Sequence, residues 1–329
     1  MQLLNLATIR QHLDPAAVMD AIEKAFVKYS AGDVTVPPVG HLPFPTGDCH
    51  IKYGYITGDD YFVIKIASGS HGNHALGVSP SSGMMVVCSA TTGHPVALLQ
   101  DEGHLTDLRT AMAGAIAAKY LAPPEVRTIG IIGSGIQAKL QLEYLKPVCA
   151  CRKVLVWNHR AERHGEFIEF ASAAGFTATA ADSADDVAAG SDLVVTTTPS
   201  TSAMIGSAAV RPGTHITAVG ADTPGKQELD AALVARADVL VVDSLSQCTD
   251  HGEIQTAVRE KTIRASDLQE LGNVIAGKAP GRTAPEQITI ADLTGVAVQD
   301  IAIATSVFAA WQAANGQTGD PSLAVTLPG

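Results

Sequence analysis

The 329 residues leave room for two domains of ordinary size. The composition is 46% hydrophobic and 17% charged with few aromatics, which suits an α/β enzyme and excludes a disordered or fibrous chain. A formal net charge of −11 argues against nucleic acid, whose binding needs clustered Lys and Arg, but it does not bar a small acidic substrate from a cleft of opposite local charge.

The chain opens Met1-Gln2-Leu3-Leu4-Asn5-Leu6, without the basic flank and apolar run of a secretion signal. No stretch reaches the ~18 consecutive apolar residues of a membrane-spanning helix. Cys49, Cys88, Cys149, Cys151 and Cys248 are too scattered for a disulfide framework. Reduced thiols in a cytoplasmic protein are expected.

Asp14 and Pro15 begin the first predicted helix as cap and first helical residue. Its apolar positions, Val18, Ile22, Ala25, Phe26 and Tyr29, recur at helical spacing. After Pro37-Pro38 come strand-like runs at 50–56, 61–67, 84–88 and 97–100, each bounded by Gly, Asp or Pro. An Ala-rich helix is expected over 106–119, and Pro123-Pro124 reads as a linker. Strands at 128–132, 153–157, 192–197, 215–219 and 239–243 then alternate with helical segments. That rhythm predicts a parallel, doubly wound sheet buried on both faces. A last apolar helix covers 301–314. The expected fold is therefore α/β. A Rossmann domain over 123–300 is inserted into a smaller α+β substrate-binding and dimerisation domain formed by 1–122 and 301–329.

The strongest local signal is Ile131-Ile132-Gly133-Ser134-Gly135-Ile136-Gln137-Ala138, a G-x-G-x-x-A between a strand and a helix. Gly133 permits the tight turn, Gly135 lets the backbone approach a pyrophosphate, and Ala138 keeps helix and strand close. The N–H groups around Ile136 and Gln137 open the helix and face the phosphates. The second strand ends at Trp157-Asn158-His159-Arg160. An acidic residue there would accept from the ribose hydroxyls and favour NAD. Asn158 with Arg160 instead suits a 2′-phosphate, so NADP(H) is favoured, with NAD(H) the alternative if Arg160 only caps a turn. Thr198, after the fourth strand, is placed on the crevice side.

The segments 107–122, the Gly133 loop, Val219-Gly220-Ala221-Asp222-Thr223-Pro224-Gly225-Lys226-Gln227-Glu228-Leu229-Asp230 and Ile288-Thr289-Ile290-Ala291-Asp292-Leu293-Thr294-Gly295-Val296-Ala297-Val298-Gln299-Asp300 resemble the ornithine cyclodeaminase/μ-crystallin family over nearly the whole chain. That family holds cyclodeaminases, archaeal-type alanine dehydrogenases and imino-acid reductases, so membership does not fix the reaction. The resemblance implies that Arg109 grips a substrate carboxylate, that Lys65 lies in the substrate site, and that Asp222 acts as acid/base or orients an amine. It also implies that Val219, Gly220, Lys226 and Asp292 surround the cofactor, with Ser81 near its nicotinamide half. An Arg fork suits a carboxylate, and a lone Lys in the strand Phe62-Val63-Ile64-Lys65-Ile66 is costly to bury unless paired or functional. The duller readings are an Arg109 ion pair with Asp107 or Glu102, an outward-facing Lys65, and an Asx-turn at Asp222.

Departures bear on substrate. Where relatives place carboxylate-binding cations, Val39 and His50 stand, with Lys52 nearby. The cyclodeaminases have a glutamate near Lys52, and Leu293 replaces a family serine. Both changes weigh against ornithine. His71 and His74 form an H-x-x-H without a third ligand, so no metal is expected, although His71 could border the pocket. No G-x-S-x-G elbow is present. The expected activity is an NAD(P)H-dependent imine reductase or amino-acid dehydrogenase acting on a 2-imino, possibly cyclic, or 2-amino carboxylate held by Arg109, Lys65, Lys52 and His50. The alternatives are an ornithine cyclodeaminase-type lyase using bound cofactor and a ligand-binding protein of the μ-crystallin kind. A homodimer is the expected assembly.

Overall fold

The computed structural model describes residues 1–70, 72–79 and 81–324. The chain divides into two units, Met1–Arg109 with Val296–Gly329, and Thr110–Gly295. The division falls inside a helix and just ahead of the last one, at 109/110 and 295/296, against the expected 122/123 and 300/301.

The first unit opens with β1 (Gln2–Asn5), α1 (Leu6–His12) and α2 (Pro15–Ala31). The Asp14 carboxylate accepts from Ala16 N and Ala17 N with Pro15 in the first turn, and Gly32 closes α2 in the left-handed conformation, as the sequence pattern requires. Strands β2 (Val34–Thr35), β3 (Gly40–Phe44), β4 (Gly47–Ile56), β5 (Tyr61–Ser70), β6 (Ser81–Ser89) and β7 (Pro95–Gln100) follow, then α3 (His104–Leu121). The sheet runs β1-β7-β6-β5-β4-β2, with β3 paired to β4. The C-terminal helix, Ala297–Ala314, packs against α2 and strands β4, β5 and β6.

Register decides what that helix covers. Leu4, Leu99, Met85, Lys65 and Lys52 lie on one rung across five strands. The first four of these are buried, Lys65 among hydrophobic neighbours. Because side chains alternate across a strand, the next rung, Leu3, Leu98, Val86, Ile64 and Tyr53, faces the other way. There Leu3 is 62% exposed and Tyr53 39%.

The second unit contains β8 (Ile129–Ile132), α4 (Ile136–Tyr144), β9 (Lys153–Trp157), α5 (His164–Ala173), β10 (Thr177–Ala180), α6 (Ala184–Gly190) and β11 (Leu193–Thr196). It continues with β12 (Thr201–Ile205), β13 (His215–Ala218), β14 (Gln227–Leu229), α7 (Ala231–Arg236) and β15 (Val239–Val242). Helices α8 (Leu245–His251) and α9 (Gln255–Arg259), strand β16 (Leu268–Glu270), α10 (Leu271–Ile275) and β17 (Thr289–Asp292) complete it. Eight strands form one sheet in the order β10-β9-β8-β11-β13-β17-β15-β16, every pairing parallel. Strand β8 meets β9 on one side and β11 on the other, so the order reverses there and the crevice for a ligand opens at their C-terminal ends. The α/β class with a doubly wound parallel sheet is the one expected. No helix among the described residues is long and apolar enough to cross a membrane.

Candidate active site

In the second unit the loop after β8 has the form the fingerprint demands. Gly133 sits at φ 111 and its N–H donates to Trp157 O at 2.9 Å. A Cβ there would collide with the Thr197 hydroxyl, so glycine is required both by the dihedral and by the close approach. Gly135 caps α4 without a side-chain hydrogen bond, and a Cβ on it would meet no heavy atom within 4 Å. Space is thus open beside Gly135 at the start of α4, where Ile136 and Gln137 follow, and Ala138 is buried against the sheet. These residues fit a dinucleotide pyrophosphate.

At the end of β9 the Asn158 amide donates to Ser134 Oγ at 2.8 Å and its oxygen accepts from Arg160 N at 2.8 Å. Asn158 thus joins the Gly133 loop to the turn that carries His159 and Arg160, both exposed. No carboxylate occupies the Asn158 position.

The loops after β11 and β13 converge on Glu228, which stands in the third family segment and to which the resemblance assigns no role. Glu228 is fully buried. It accepts from Thr196 Oγ1 at 2.6 Å, Thr198 N at 2.6 Å and Gly220 N at 2.9 Å. Its own N–H and that of Leu229 donate to the Glu253 carboxyl at 3.0 and 2.6 Å. Burial raises both carboxyls above their usual range, against the hydrogen bonds they accept, and Glu253 is lifted furthest, with Glu228 as a like-charged neighbour. Asp292, expected near the cofactor, is likewise interior: its carboxylate accepts from Ile254 N at 3.2 Å and burial pushes it up to about 8. Val219 is also buried. Asp222 is exposed and pairs with Lys226 at 2.5 Å; the segment that carries them puts the two at i and i+4 across the Pro224-Gly225 turn.

In the first unit Lys65 on β5, Arg109 on α3 and Asp300 on the C-terminal helix form a buried cluster. Lys65 Nζ lies 3.0 Å from Asp300 Oδ2, and Arg109 Nε donates to Asp300 Oδ1 at 2.9 Å. Arg109 Nη1 donates to Gln299 Oε1 at 3.1 Å. Arg109 turns to Asp300, and Lys65, 2% exposed, does not face outward. Burial drives the Lys65 ammonium down to about 7, with Arg109 and Lys52 adding to the effect and Asp300 opposing it. Burial would raise Asp300, but Lys65, Arg109 and Lys52 outweigh it and hold the carboxyl below its usual range. Lys52 stands directly opposite Lys65 on β4.

Gln299 and Asp300 end the fourth family segment, but a helix expected from 301 leaves them without a role. The helix begins at Ala297, which brings both residues into its first turn. His50 is the outlier of the expected substrate set. Its ring stacks on His41, directly opposite on β3, at 4.7 Å, and its Nε2 lies 3.9 Å from Asp48 Oδ2. Ser81 begins β6, where its carbonyl accepts from Ser79 Oγ at 2.6 Å. His71 lies outside the described residues.

The family model described as "Ornithine cyclodeaminase/mu-crystallin family" matches residues 1–315. The chain belongs to that family. An archaeal alanine dehydrogenase, described as a dimer with bound NAD, is 34% identical; it superposes with a TM-score of 0.90 over 97% of this chain and 98% of its own. The iminosuccinate reductase of Paracoccus denitrificans in complex with NAD+ is 32% identical, with a TM-score of 0.88 over 96% of this chain and 97% of its own. The Δ1-pyrroline-2-carboxylate reductase of Thermococcus litoralis, in complex with NADH and L-proline, is 26% identical; its TM-score is 0.89 over 97% of this chain and 100% of its own. The three relatives act on different substrates, so the family resolves the site's general chemistry further than its specificity.

Proposed function

We propose that this protein is an NAD(P)H-dependent reductase or dehydrogenase of 2-imino carboxylates, cyclic or linear, and of the corresponding 2-amino acids. The observation that carries this reading is the buried cluster in the first unit, in which Lys65 and Arg109 share the Asp300 carboxylate, Lys52 also acts on it, and Asp101 lies within reach of Lys65. Cations gathered in this way suit an anionic substrate, and a carboxylate matches the Arg fork. His50 borders the same face of β4 two residues from Lys52.

The Gly133–Gln137 loop, Asn158, Thr198, Val219 and Gly220 would hold the dinucleotide, with Ser81 and Lys226 at its periphery. When bound, a reduced nicotinamide supplies the hydride, and the protein supplies orientation and charge. Arg109 fixes the substrate carboxylate. Lys65, whose ammonium loses its proton near neutrality, is suited to give a proton to the developing amine or take one from it. Asp222 accepts from the substrate nitrogen and is exchanged from Lys226 to do so. Arg160 and the absence of a carboxylate at Asn158 support NADP(H); NAD(H), bound by the three relatives named above, is the second reading. The partly exposed apolar rung of Leu3 and Tyr53 supports a homodimer covering that face.

The test is purified protein with NADPH or NADH and a panel of cyclic imino acids, and of 2-oxo acids with ammonia. Oxidation of the dinucleotide dependent on one of them is expected. No oxidation with any, at substrate levels well above ordinary KM values, overturns the proposal. Ammonia released from ornithine without net dinucleotide turnover would instead establish the cyclodeaminase, a reaction for which Lys52 carries the wrong charge.

A further inference from the structure

We infer that Glu228 is a positioning residue for the dinucleotide: its buried carboxylate sets the two loops that close the crevice over the ligand. The inference rests on the nucleotide site proposed above and goes beyond it, because Glu228 is fully buried and its carboxylate is engaged by the loops themselves.

Three facts support it. The carboxylate spans two chain segments just past the last backbone bond between them, Val219 N–H to Thr196 O at 3.0 Å, where the ladder of β11 and β13 ends. Thr196 is the last residue of β11, Thr198 is two residues into the following loop, and Gly220 follows β13. Glu228 takes a donor from each, at 2.6, 2.6 and 2.9 Å. Every one of these contacts has the carboxylate accepting, which is the only role an ionised carboxylate has.

The second fact is steric. A Cβ at Gly220 would run into both Thr198 O and the Glu228 carboxylate. The two loops therefore approach so closely that only glycine fits, and the approach is made around Glu228. The third fact is the support behind it. Glu253 receives the N–H groups of Glu228 and Leu229, fixing the backbone from which the Glu228 side chain extends. Glu253 is 1% exposed and Glu228 is fully buried, so a polar column runs from the partly exposed loop residues Thr198 and Gly220 into the dry interior. A buried network of this kind is rigid when every member is satisfied and costly when one is not.

The consequence is specific to the nucleotide. In Glu228→Gln the amide has one acceptor and one donor end. If its oxygen stays with Thr196 and Gly220, its NH2 meets the Thr198 N–H donor to donor, and the Thr198 loop moves. Dinucleotide affinity measured by quenching of protein fluorescence is expected to fall about 10-fold or more. The KM for the imino acid at saturating dinucleotide should stay within about two-fold. A residue serving the fold alone would lower the melting temperature and leave the folded fraction's dinucleotide Kd unchanged. Thr196→Val removes one donor without a new clash and decides the matter if Glu228→Gln does not fold; a Kd raised about three-fold or more is expected. Folded variants that bind dinucleotide within two-fold of wild type overturn the inference. Wild-type protein that binds no dinucleotide overturns the reading of the site, and this inference with it.

Discussion

Lys65 and Asp300 lie 235 positions apart in sequence, yet their charged atoms approach to 3.0 Å in the interior of the first unit. The pair is asymmetric. Asp300 also serves Arg109, so the carboxylate is the shared element and each cation depends on it. Its position in the first turn of a helix adds the favourable end of the helix dipole to the attraction of both cations.

Asp300→Asn should therefore be among the most damaging single changes in the first unit. It leaves two buried cations without their anion, a loss of about 3–5 kcal/mol for breaking a buried pair. Chemical denaturation with the midpoint and slope both recorded would show it. Unchanged stability would mean that water or another carboxylate already compensates Lys65.

The pH dependence of kcat/KM in the reductive direction should show a limb near pH 7 belonging to Lys65. Its folded-state value of about 7 lies below the usual 10.5. The protonated form that attracts a carboxylate is therefore present below about pH 7 and lost as pH rises through it. By linkage the same group opposes folding at low pH and ceases to do so above its unfolded value. Lys65→Met should lower kcat/KM about 100-fold or more and abolish the limb. A limb that survives in the variant belongs to another residue.

Arg160→Ala should separate the two cofactors. Loss of a charge-assisted contact to a 2′-phosphate costs about 1.5–3 kcal/mol, so the KM for NADPH should rise about 10-fold or more. The KM for NADH should stay within about two-fold. Equal effects on both would assign Arg160 to the turn alone.

Asp292→Asn should stabilise the protein, and more so at alkaline pH. Burial raises the folded-state carboxyl to about 8 from 3.8. The native state thus holds a proton that the unfolded chain releases between those values, and stability from this group falls as pH rises from about 4 to about 8. Asparagine keeps an acceptor for Ile254 N and removes the titration. Thermal unfolding at pH 5 and pH 8.5 should show the variant's advantage growing by several degrees at the higher pH; an advantage that is constant or shrinks contradicts the assignment.

Leu3→Lys combined with Tyr53→Lys should give a monomer in sedimentation at micromolar concentration. Both positions lie on the rung that faces away from the C-terminal helix, and both are exposed in the single chain. A wild type that sediments as a monomer would remove the case for a homodimer.

The Rossmann unit was readable because its signals are local: a strand, a glycine turn of fixed spacing and a helix follow one another without a break from Ile129 to Tyr144. Lys65 was also legible, since one cation in Phe62-Val63-Ile64-Lys65-Ile66 is conspicuous. Its partner was not. Asp300 falls at the edge of an apolar run, where a charged residue ordinarily marks a helix boundary, and only tertiary packing shows that the helix starts one turn earlier. The roles of Glu228, inside a family segment, and of Glu253 were illegible for the same reason. A glutamate beside a turn reads as solvent-exposed until the loops from Thr196 and Gly220 are seen to fold over it. Strands β1 and β17 complete their sheets by pairing with strands distant in sequence, so no local pattern announces their place.

Because the first unit is assembled from both ends of the chain, its birth on the ribosome is interrupted. Arg109 is made 191 residues, and Lys65 235 residues, before Asp300. At about 5–20 residues per second the wait is on the order of 10–50 s. During that time the sheet lacks its covering helix and both cations lack the counter-ion they share in the finished protein. The second unit, continuous from 110 to 295, has no such delay. A nascent chain arrested just short of residue 296 would accordingly carry a complete nucleotide-binding half and an immature amino-terminal half in need of a chaperone.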